Sequence, residues 1–267
     1  MKKRVLQILI SVCLVSIICY NAFNSFVPEY SLPASSGSNI SRLEALQSYS
    51  VSEIEKEIDR LVSERLQAEE EKRLEEERLA SYMNFMEQLK EGKITYRRLF
   101  SDTMIVGDSL MHGLTLYDIL DSSNMITMVS ASLYHLDDNV YNIINNSPEK
   151  LVLHYGINML VNSEEGRNSF ISMYRRIIKE LKSELPDTEI YISSIFNVSD
   201  AVSASYPGVD KYNEALKALC DELEIGYVDN SYLLGGNSKY YGSDGIHVSK
   251  DFYYDEWLPH LYYSIVK

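Results

Sequence analysis

The chain has 267 residues, which suffices for one medium-sized domain with accessory segments or for two small domains. The hydrophobic fraction of 45% argues against a largely disordered protein. Its formal net charge is −14, and residues 101–267 carry nearly all of it, with 24 Asp and Glu against 11 Lys and Arg. Because an acidic surface repels phosphate backbones, we expect no nucleic-acid partner. Neutral or cationic substrates fit this charge better.

The amino-terminal segment has the pattern of a membrane anchor. Lys2, Lys3 and Arg4 precede a largely apolar run over residues 5–20, and a basic flank of this kind stays in the cytoplasm. No convincing small-residue cleavage site follows the run. Residues 1–30 are therefore predicted to be an uncleaved signal anchor of the cell membrane that leaves the carboxy-terminal part extracytoplasmic. A cleaved signal peptide and a secreted protein are the alternative.

Residues 31–100 are predicted to form a linker and a helical stalk. Residues 31–39 are small and polar with Pro and Gly, as in a flexible linker. A capping pattern at Ser52 predicts the start of a long helix, and Gly92 predicts its end. Leu74 is the one apolar residue in the charged middle of this helix, too few for a sustained coiled-coil seam. The pattern favours a solvated spacer over a coiled-coil dimer.

From residue 101 onward, short apolar runs alternate with amphipathic stretches. The runs typical of buried strands are Met104–Val106, Ile126–Val129, Leu151–Tyr155, Glu189–Ile195 and Gly226–Val228. Helical spacing covers His112–Leu120, Leu133–Ile144, Asn168–Leu185, Val209–Leu223 and Asp251–Ile265, and Cys220 is predicted to be a buried core thiol. This alternation predicts an α/β domain over residues 101–267 with a mostly parallel sheet, whose reactive groups collect at the carboxyl ends of the strands.

A candidate nucleophile follows the first predicted strand. Gly107, Asp108 and Ser109 lead directly from that strand into a helix. A serine at a helix amino terminus lies among free backbone N–H groups that favour a developing negative charge. The alternative is that Asp108 and Ser109 only cap the helix.

Two further loops carry candidate partners for this serine. Asp244 and His247 lie three residues apart near the end of the chain, so the carboxylate can orient the ring and stabilise its protonated form, although a plain turn is the alternative. Asn158 follows the predicted central strand, and its amide can donate to an oxyanion. The other histidines are scattered without metal-site spacing, so we expect neither a metal nor a cofactor.

The order of these blocks resembles the SGNH/GDSL hydrolase family over most of residues 101–267. Gly-Asp-Ser-Leu lies near the domain start, Gly-x-Asn in the middle and Asp-x-x-His near the end. The resemblance implies a three-layer α/β/α, flavodoxin-like fold and a catalytic triad of Ser109, His247 and Asp244. It also implies an oxyanion hole that includes the Ser109 N–H and the Asn158 side chain.

One block departs from the family pattern. Its second block supplies a glycine whose backbone N–H completes the oxyanion hole, whereas the matching stretch here reads Val129-Ser130-Ala131-Ser132. Either Ser130 or Ala131 must take the place of that glycine, and the predicted hole therefore includes Ser130. A backbone N–H is available from both residues.

The resemblance and the predicted anchor together imply an extracytoplasmic serine esterase that removes O-acyl groups, most simply O-acetyl groups, from a cell-surface polysaccharide. Tyr240 and Tyr241 lie beside the Asp244–His247 loop and are candidates for stacking on sugar rings. Two alternatives stay open at this point. The same triad could transfer acyl groups received from a multi-span membrane acyltransferase, or the domain could be a silent module that binds a glycan or a protein partner.

Overall fold

The structure is a computed structural model that describes residues 51–266. The predicted signal anchor and the predicted linker as far as residue 50 lie outside the described residues. Within residues 51–266, no helix combines the length and the apolar composition that crossing a bilayer requires.

The described chain contains nine α-helices and five strands. The helices are α1 Val51–Lys90, α2 Tyr96–Leu99, α3 Ser109–Leu116, α4 Leu133–Asp138, α5 Val140–Asn146, α6 Glu164–Glu184, α7 Val209–Leu223, α8 Lys250–Phe252 and α9 Leu258–Ile265. The strands are β1 Thr103–Gly107, β2 Met125–Thr127, β3 Lys150–His154, β4 Glu189–Ser193 and β5 Gly226–Val228. A π-helical turn, Tyr253–Trp257, joins α8 to α9.

The described residues up to Arg78 form one compact unit and the residues from Leu79 onward form a second. In the first unit α1 is solvated, and ion pairs one turn apart, such as Arg60–Glu64 at 2.6 Å, line its surface. In the second unit Phe85, in the last turns of α1, stacks on Tyr262 with ring centroids 4.9 Å apart. The end of the predicted stalk helix is therefore part of the second unit, because its aromatic side chain packs into that unit's core.

The sheet is parallel throughout and has the strand order β2-β1-β3-β4-β5. This is the flavodoxin-like order, so the predicted architecture is confirmed. Helices α4, α5, α6 and α7 pack on one another in one layer, and α3 packs with the carboxy-terminal π turn, where the Tyr253 ring lies against Gly113. The order reverses between β1 and β3, so the crevice at the carboxyl ends of these strands is the expected place for a site.

Three of the differences between the predicted elements and the structure have local reasons. Strand β2 ends at Thr127 rather than Val129, because the chain turns at Ser130 with a φ of +59°. The single helix predicted over residues 133–144 is divided at Asn139 into α4 and α5. Helix α3 begins at Ser109 rather than His112, because the Asp108 side chain accepts a hydrogen bond from the Leu110 N–H and caps it.

His154, the last residue of β3, is buried at the carboxyl end of that strand. Its Nδ1 lies 3.1 Å from Ser193 Oγ, and its ring packs on Phe196. Burial lowers the pKa of His154 to about 3, so the ring is neutral in the folded protein.

We expect the buried, neutral His154 to lower the free energy of unfolding in acid. The unfolded chain binds a proton at this ring below about pH 6.5, whereas the folded chain does not, so stability falls as the pH drops from about 6.5 towards 3. Between pH 7 and 5, the free energy of unfolding should fall by about 2 kcal/mol more in the wild type than in His154→Gln. Urea unfolding at both pH values measures this, and equal losses in the two proteins would contradict it.

Candidate active site

The nucleophile candidate lies at the carboxyl end of strand β1, next to the central strand β3. Gly107 ends the strand, Asp108 is extended, and Ser109 is the first residue of α3. A Cβ on Gly107 would lie 2.5 Å from Met111 Cγ in α3 and 2.8 Å from the His154 carbonyl oxygen in β3, so a larger residue would force β1 away from both. Ser109 thus sits at a helix amino terminus, where its own N–H has no partner within the helix.

The loop of residues 241–248, here called the catalytic loop, presents the other two side chains. Its ends pair as an antiparallel bridge between Tyr241 and Val248, and the Gly242 N–H donates to the His247 carbonyl at 2.7 Å. Gly245 has a φ of +69°, which glycine adopts without strain. This short closed loop fixes Asp244 and His247 relative to each other.

The three predicted triad residues form one hydrogen-bonded chain. His247 Nε2 lies 3.0 Å from Ser109 Oγ, and His247 Nδ1 lies 2.6 Å from Asp244 Oδ2. The other carboxylate oxygen, Asp244 Oδ1, accepts the N–H groups of Ile246 and His247 at 3.0 Å each. The ring therefore has one nitrogen facing the serine and one facing the carboxylate, as a general base for serine requires.

The environment of Asp244 keeps it charged. Partial burial works to raise its pKa, but hydrogen bonds from the His247 ring and from the two backbone N–H groups outweigh burial and hold the pKa below its usual value. An ionised Asp244 can stabilise the imidazolium that forms when His247 accepts the serine proton.

The second block supplies a backbone donor in spite of its missing glycine. Ser130 has a φ of +59°, in the left-handed region that favours glycine. The Ala131 N–H donates to the Met128 carbonyl at 3.2 Å, whereas the Ser130 N–H makes no hydrogen bond within residues 51–266. Of the two candidates, Ser130 therefore has both the backbone conformation and the free donor that the family glycine would supply.

Asn158 lies next to this segment. It is exposed in the short 3₁₀ turn after β3, and its Nδ2 donates to the Ala131 carbonyl at 2.9 Å. This bond uses one of the two amide hydrogens and orients the other. Ser109 follows β1, Ser130 follows β2 and Asn158 follows β3, and these three strands are neighbours in the sheet. The three donors therefore belong to one edge of the sheet.

The two tyrosine candidates differ in position. Tyr241 lines a hollow of about 330 Å³ together with Asp244, and its hydroxyl donates to the Asn197 carbonyl at 3.0 Å. The Tyr240 hydroxyl donates to Glu256 at 2.9 Å, and Tyr240 does not line that hollow.

Cys220 is buried in α7 as predicted. Within residues 51–266 no group of three or more His, Cys, Asp or Glu side chains could hold a metal ion.

The sequence pattern did not single out Asp108 beyond a capping role. Its side chain is fully buried, and burial raises its pKa to about 7, against the opposing influence of the Leu110 N–H and of His247. A sequence signal was available, because a carboxylate directly between a buried strand and a helix amino terminus faces the domain interior.

We expect Ser130→Gly to stabilise the protein by about 1 kcal/mol, because glycine adopts the left-handed conformation without the strain that serine carries there. The backbone N–H is retained. Thermal or urea unfolding measures the change. The matched control is Ser132→Gly, at an ordinary φ of −125° where the side chain caps α4. This control should destabilise slightly, and a destabilising Ser130→Gly would contradict the expectation.

The sequence matches no protein-family model and no curated protein. Similar solved structures include a GDSL-like lipase from Parabacteroides merdae, with 15% identity and a TM-score of 0.48 over 60% of this chain and 92% of that one. A GDSL-like lipase from Bacteroides thetaiotaomicron has 14% identity and a TM-score of 0.49 over 69% and 96%. A catalytic mutant of an acetylxylan esterase from Geobacillus stearothermophilus has 12% identity and a TM-score of 0.44 over 60% and 91%.

Structural similarity at this low identity does not indicate which reaction the protein catalyses. The reaction is therefore inferred from the hydrogen bonds among Ser109, His247 and Asp244, which are the three residues that the resemblance of the sequence blocks implies. Block order, sheet topology and triad geometry all agree with what the resemblance to the SGNH/GDSL hydrolase family implies for residues 101–266.

Proposed function

We propose that the protein is an extracytoplasmic serine esterase that removes O-acyl groups, in the simplest case O-acetyl groups, from a cell-surface glycan. The observation that carries the esterase part is the hydrogen-bonded chain from Ser109 through His247 to Asp244. The extracytoplasmic part is supported by the sequence pattern of residues 1–30 alone.

The reaction has two steps. The Ser109 Oγ attacks the ester carbonyl carbon while its proton passes to His247 Nε2, and the carbonyl oxygen becomes an oxyanion facing the N–H groups of Ser109 and Ser130 and the amide of Asn158. The C–O bond to the alcohol then breaks, and His247 returns the proton to the leaving oxygen. Water, deprotonated by the same ring, releases the acid and restores the serine.

A hollow beside the catalytic loop supports a bulky polar group as the alcohol part of the ester. Because His247 protonates the leaving oxygen, the alcohol must lie on the His247 side of Ser109, opposite the oxyanion donors. The hollow of about 330 Å³ is lined by residues 241–245 of the catalytic loop, on its Asp244 side, and not by Ser109 or His247. Its volume lies within the usual size range of ligand sites. Its lining combines the Tyr241 ring with hydroxyl and amide side chains of Ser199, Asn237 and Ser238.

Such a lining suits the hydroxyl groups and the apolar ring face of a sugar better than it suits an alkyl chain. A glycan hydroxyl that replaced water in the second step would make the same protein an acyltransferase. Release of free acid and formation of a new ester on an added oligosaccharide separate these two outcomes.

We expect Ser109→Ala to abolish hydrolysis of a small aryl acetate, because it removes the hydroxyl that attacks the carbonyl. Asn158→Ala should lower kcat by about a hundredfold through loss of one oxyanion donor. The matched control is Asn146→Ala, which removes an exposed amide from the end of α5, and its rate should be unchanged. A folded wild type with no more activity than Ser109→Ala would contradict the esterase proposal.

We expect Tyr241→Ala to raise KM for an acetylated oligosaccharide by about tenfold and to leave hydrolysis of the small aryl acetate nearly unchanged, since only the larger substrate reaches the hollow. Tyr241→Phe keeps the ring and should stay close to wild type. Tyr240→Ala is the matched control, because Tyr240 lies outside the hollow. Equal effects of Tyr241→Ala on both substrates would contradict a glycan site there.

A further inference from the structure

Two consecutive residues after β3 contact residues 128–133, here called the oxyanion turn. Asn158 Nδ2 donates to the Ala131 carbonyl at 2.9 Å, and Met159 Sδ accepts the Leu133 N–H at 3.3 Å. Asn158 is itself a predicted oxyanion donor. Met159 is different, because a thioether sulfur only accepts hydrogen bonds and cannot donate one to an oxyanion. Its contact therefore acts on the protein backbone and not on the substrate.

The sulfur of Met159 completes the hydrogen bonding at the start of α4. The first N–H groups of a helix have no partner within it and need one from outside. Ser132 supplies two partners here, since its Oγ accepts the Tyr134 N–H and its carbonyl accepts the His135 N–H. The N–H of Leu133, the first residue of α4, is taken by the Met159 sulfur.

The backbone of Met159 is itself fixed on both sides. Its N–H donates to the Gly156 carbonyl at 2.8 Å, and its carbonyl accepts the Tyr212 hydroxyl at 3.3 Å. Tyr212 is buried in α7, and its hydroxyl also accepts the Val161 N–H at 3.2 Å. The Met159 side chain is partly buried and packs against the core. A rigid support thus reaches the oxyanion turn through this sulfur.

The oxyanion turn depends on such support. Ser130 is exposed and left-handed, a strained conformation that persists in a residue other than glycine only where the surroundings hold it. The Met128 N–H donates to the Gly107 carbonyl at 3.3 Å and holds the start of the turn against β1. The Ala131 N–H closes the turn on the Met128 carbonyl at 3.2 Å. The two contacts from the residues after β3 hold its other end.

We propose that Met159 is a positioning residue, which holds the Ser130 N–H in place for the oxyanion through the hydrogen bond from the Leu133 N–H to its sulfur. This role rests on the proposed esterase function of the same site. Because the oxyanion forms only on the way through the transition state, a loosened donor lowers kcat and leaves substrate binding nearly unchanged.

The test compares the wild type with Met159→Leu, which keeps an apolar side chain of similar size and removes the acceptor. Complete loss of one oxyanion donor costs about a hundredfold in kcat, so a loosened donor should cost about tenfold for the aryl acetate, with KM changed by less than about twofold. Met159→Gln restores an acceptor on a side chain of similar length and should recover most of the lost kcat. If the sulfur served packing alone, glutamine would be the worse of the two replacements.

Met173→Leu is the matched control, because it makes the same exchange at a partly buried methionine of α6. Its kcat should equal that of the wild type. An unchanged kcat in Met159→Leu, or a kcat in Met159→Gln that is no higher than in Met159→Leu, would overturn the positioning role.

A second measurement does not depend on activity. Backbone amide NMR relaxation of the full chain should give the Ser130 N–H an order parameter of rigid backbone, about 0.85, in the wild type and about 0.6 or lower in Met159→Leu. Met159→Gln should restore the wild-type value. Should Met159→Leu not fold, the wild type still decides, because a Ser130 N–H that is already mobile there would overturn the role.

A Ser130 N–H that loosens in Met159→Leu, in a protein without esterase activity, would support the positioning role and sink the proposed function. An unchanged kcat together with an unchanged order parameter would sink the positioning role and leave the esterase intact.

Discussion

The hydrogen bond between His247 and Ser109 joins two residues 138 positions apart in the sequence, and the chemistry depends on it. A different local structure fixes each of the two residues. Ser109 is fixed by the tight passage from β1 into α3, where Gly107 leaves no space for a side chain. His247 is fixed by a loop that closes on itself between Tyr241 and Val248. The parallel sheet brings the β1–α3 turn and the catalytic loop to the same edge, because all five strands have their carboxyl ends there.

Ser130 can supply the backbone N–H of the predicted oxyanion hole although the family pattern has glycine at this place. The donor is an N–H group, so any residue can supply it if the backbone adopts the required conformation. Ser130 adopts the left-handed conformation at an energetic cost, and its neighbour Ala131 is held by the Met128 carbonyl and by the amide of Asn158. The loss of glycine therefore affects the stability of the turn more than it affects the presence of the donor.

Most of the sheet and the triad could be predicted from the sequence, because buried parallel strands give continuous apolar runs and the triad lies in three recognisable blocks. The exact end of β2 could not, since a serine in the left-handed region leaves no compositional signal. The break at Asn139 was hidden because apolar residues continue at helical spacing across it. The complete burial of Asp108 could not be predicted either, because it arises only from the packing of the folded chain.

The central claim is that Ser109 is a nucleophile activated by His247. A fluorophosphonate that reacts only with activated serines tests it directly, with intact-mass and peptide-mass analysis of the labelled protein. The account predicts a single adduct, located on Ser109, that is lost in His247→Ala while the fold is retained. Absence of labelling in the folded wild type, or equal labelling of Ser109 without His247, would contradict it.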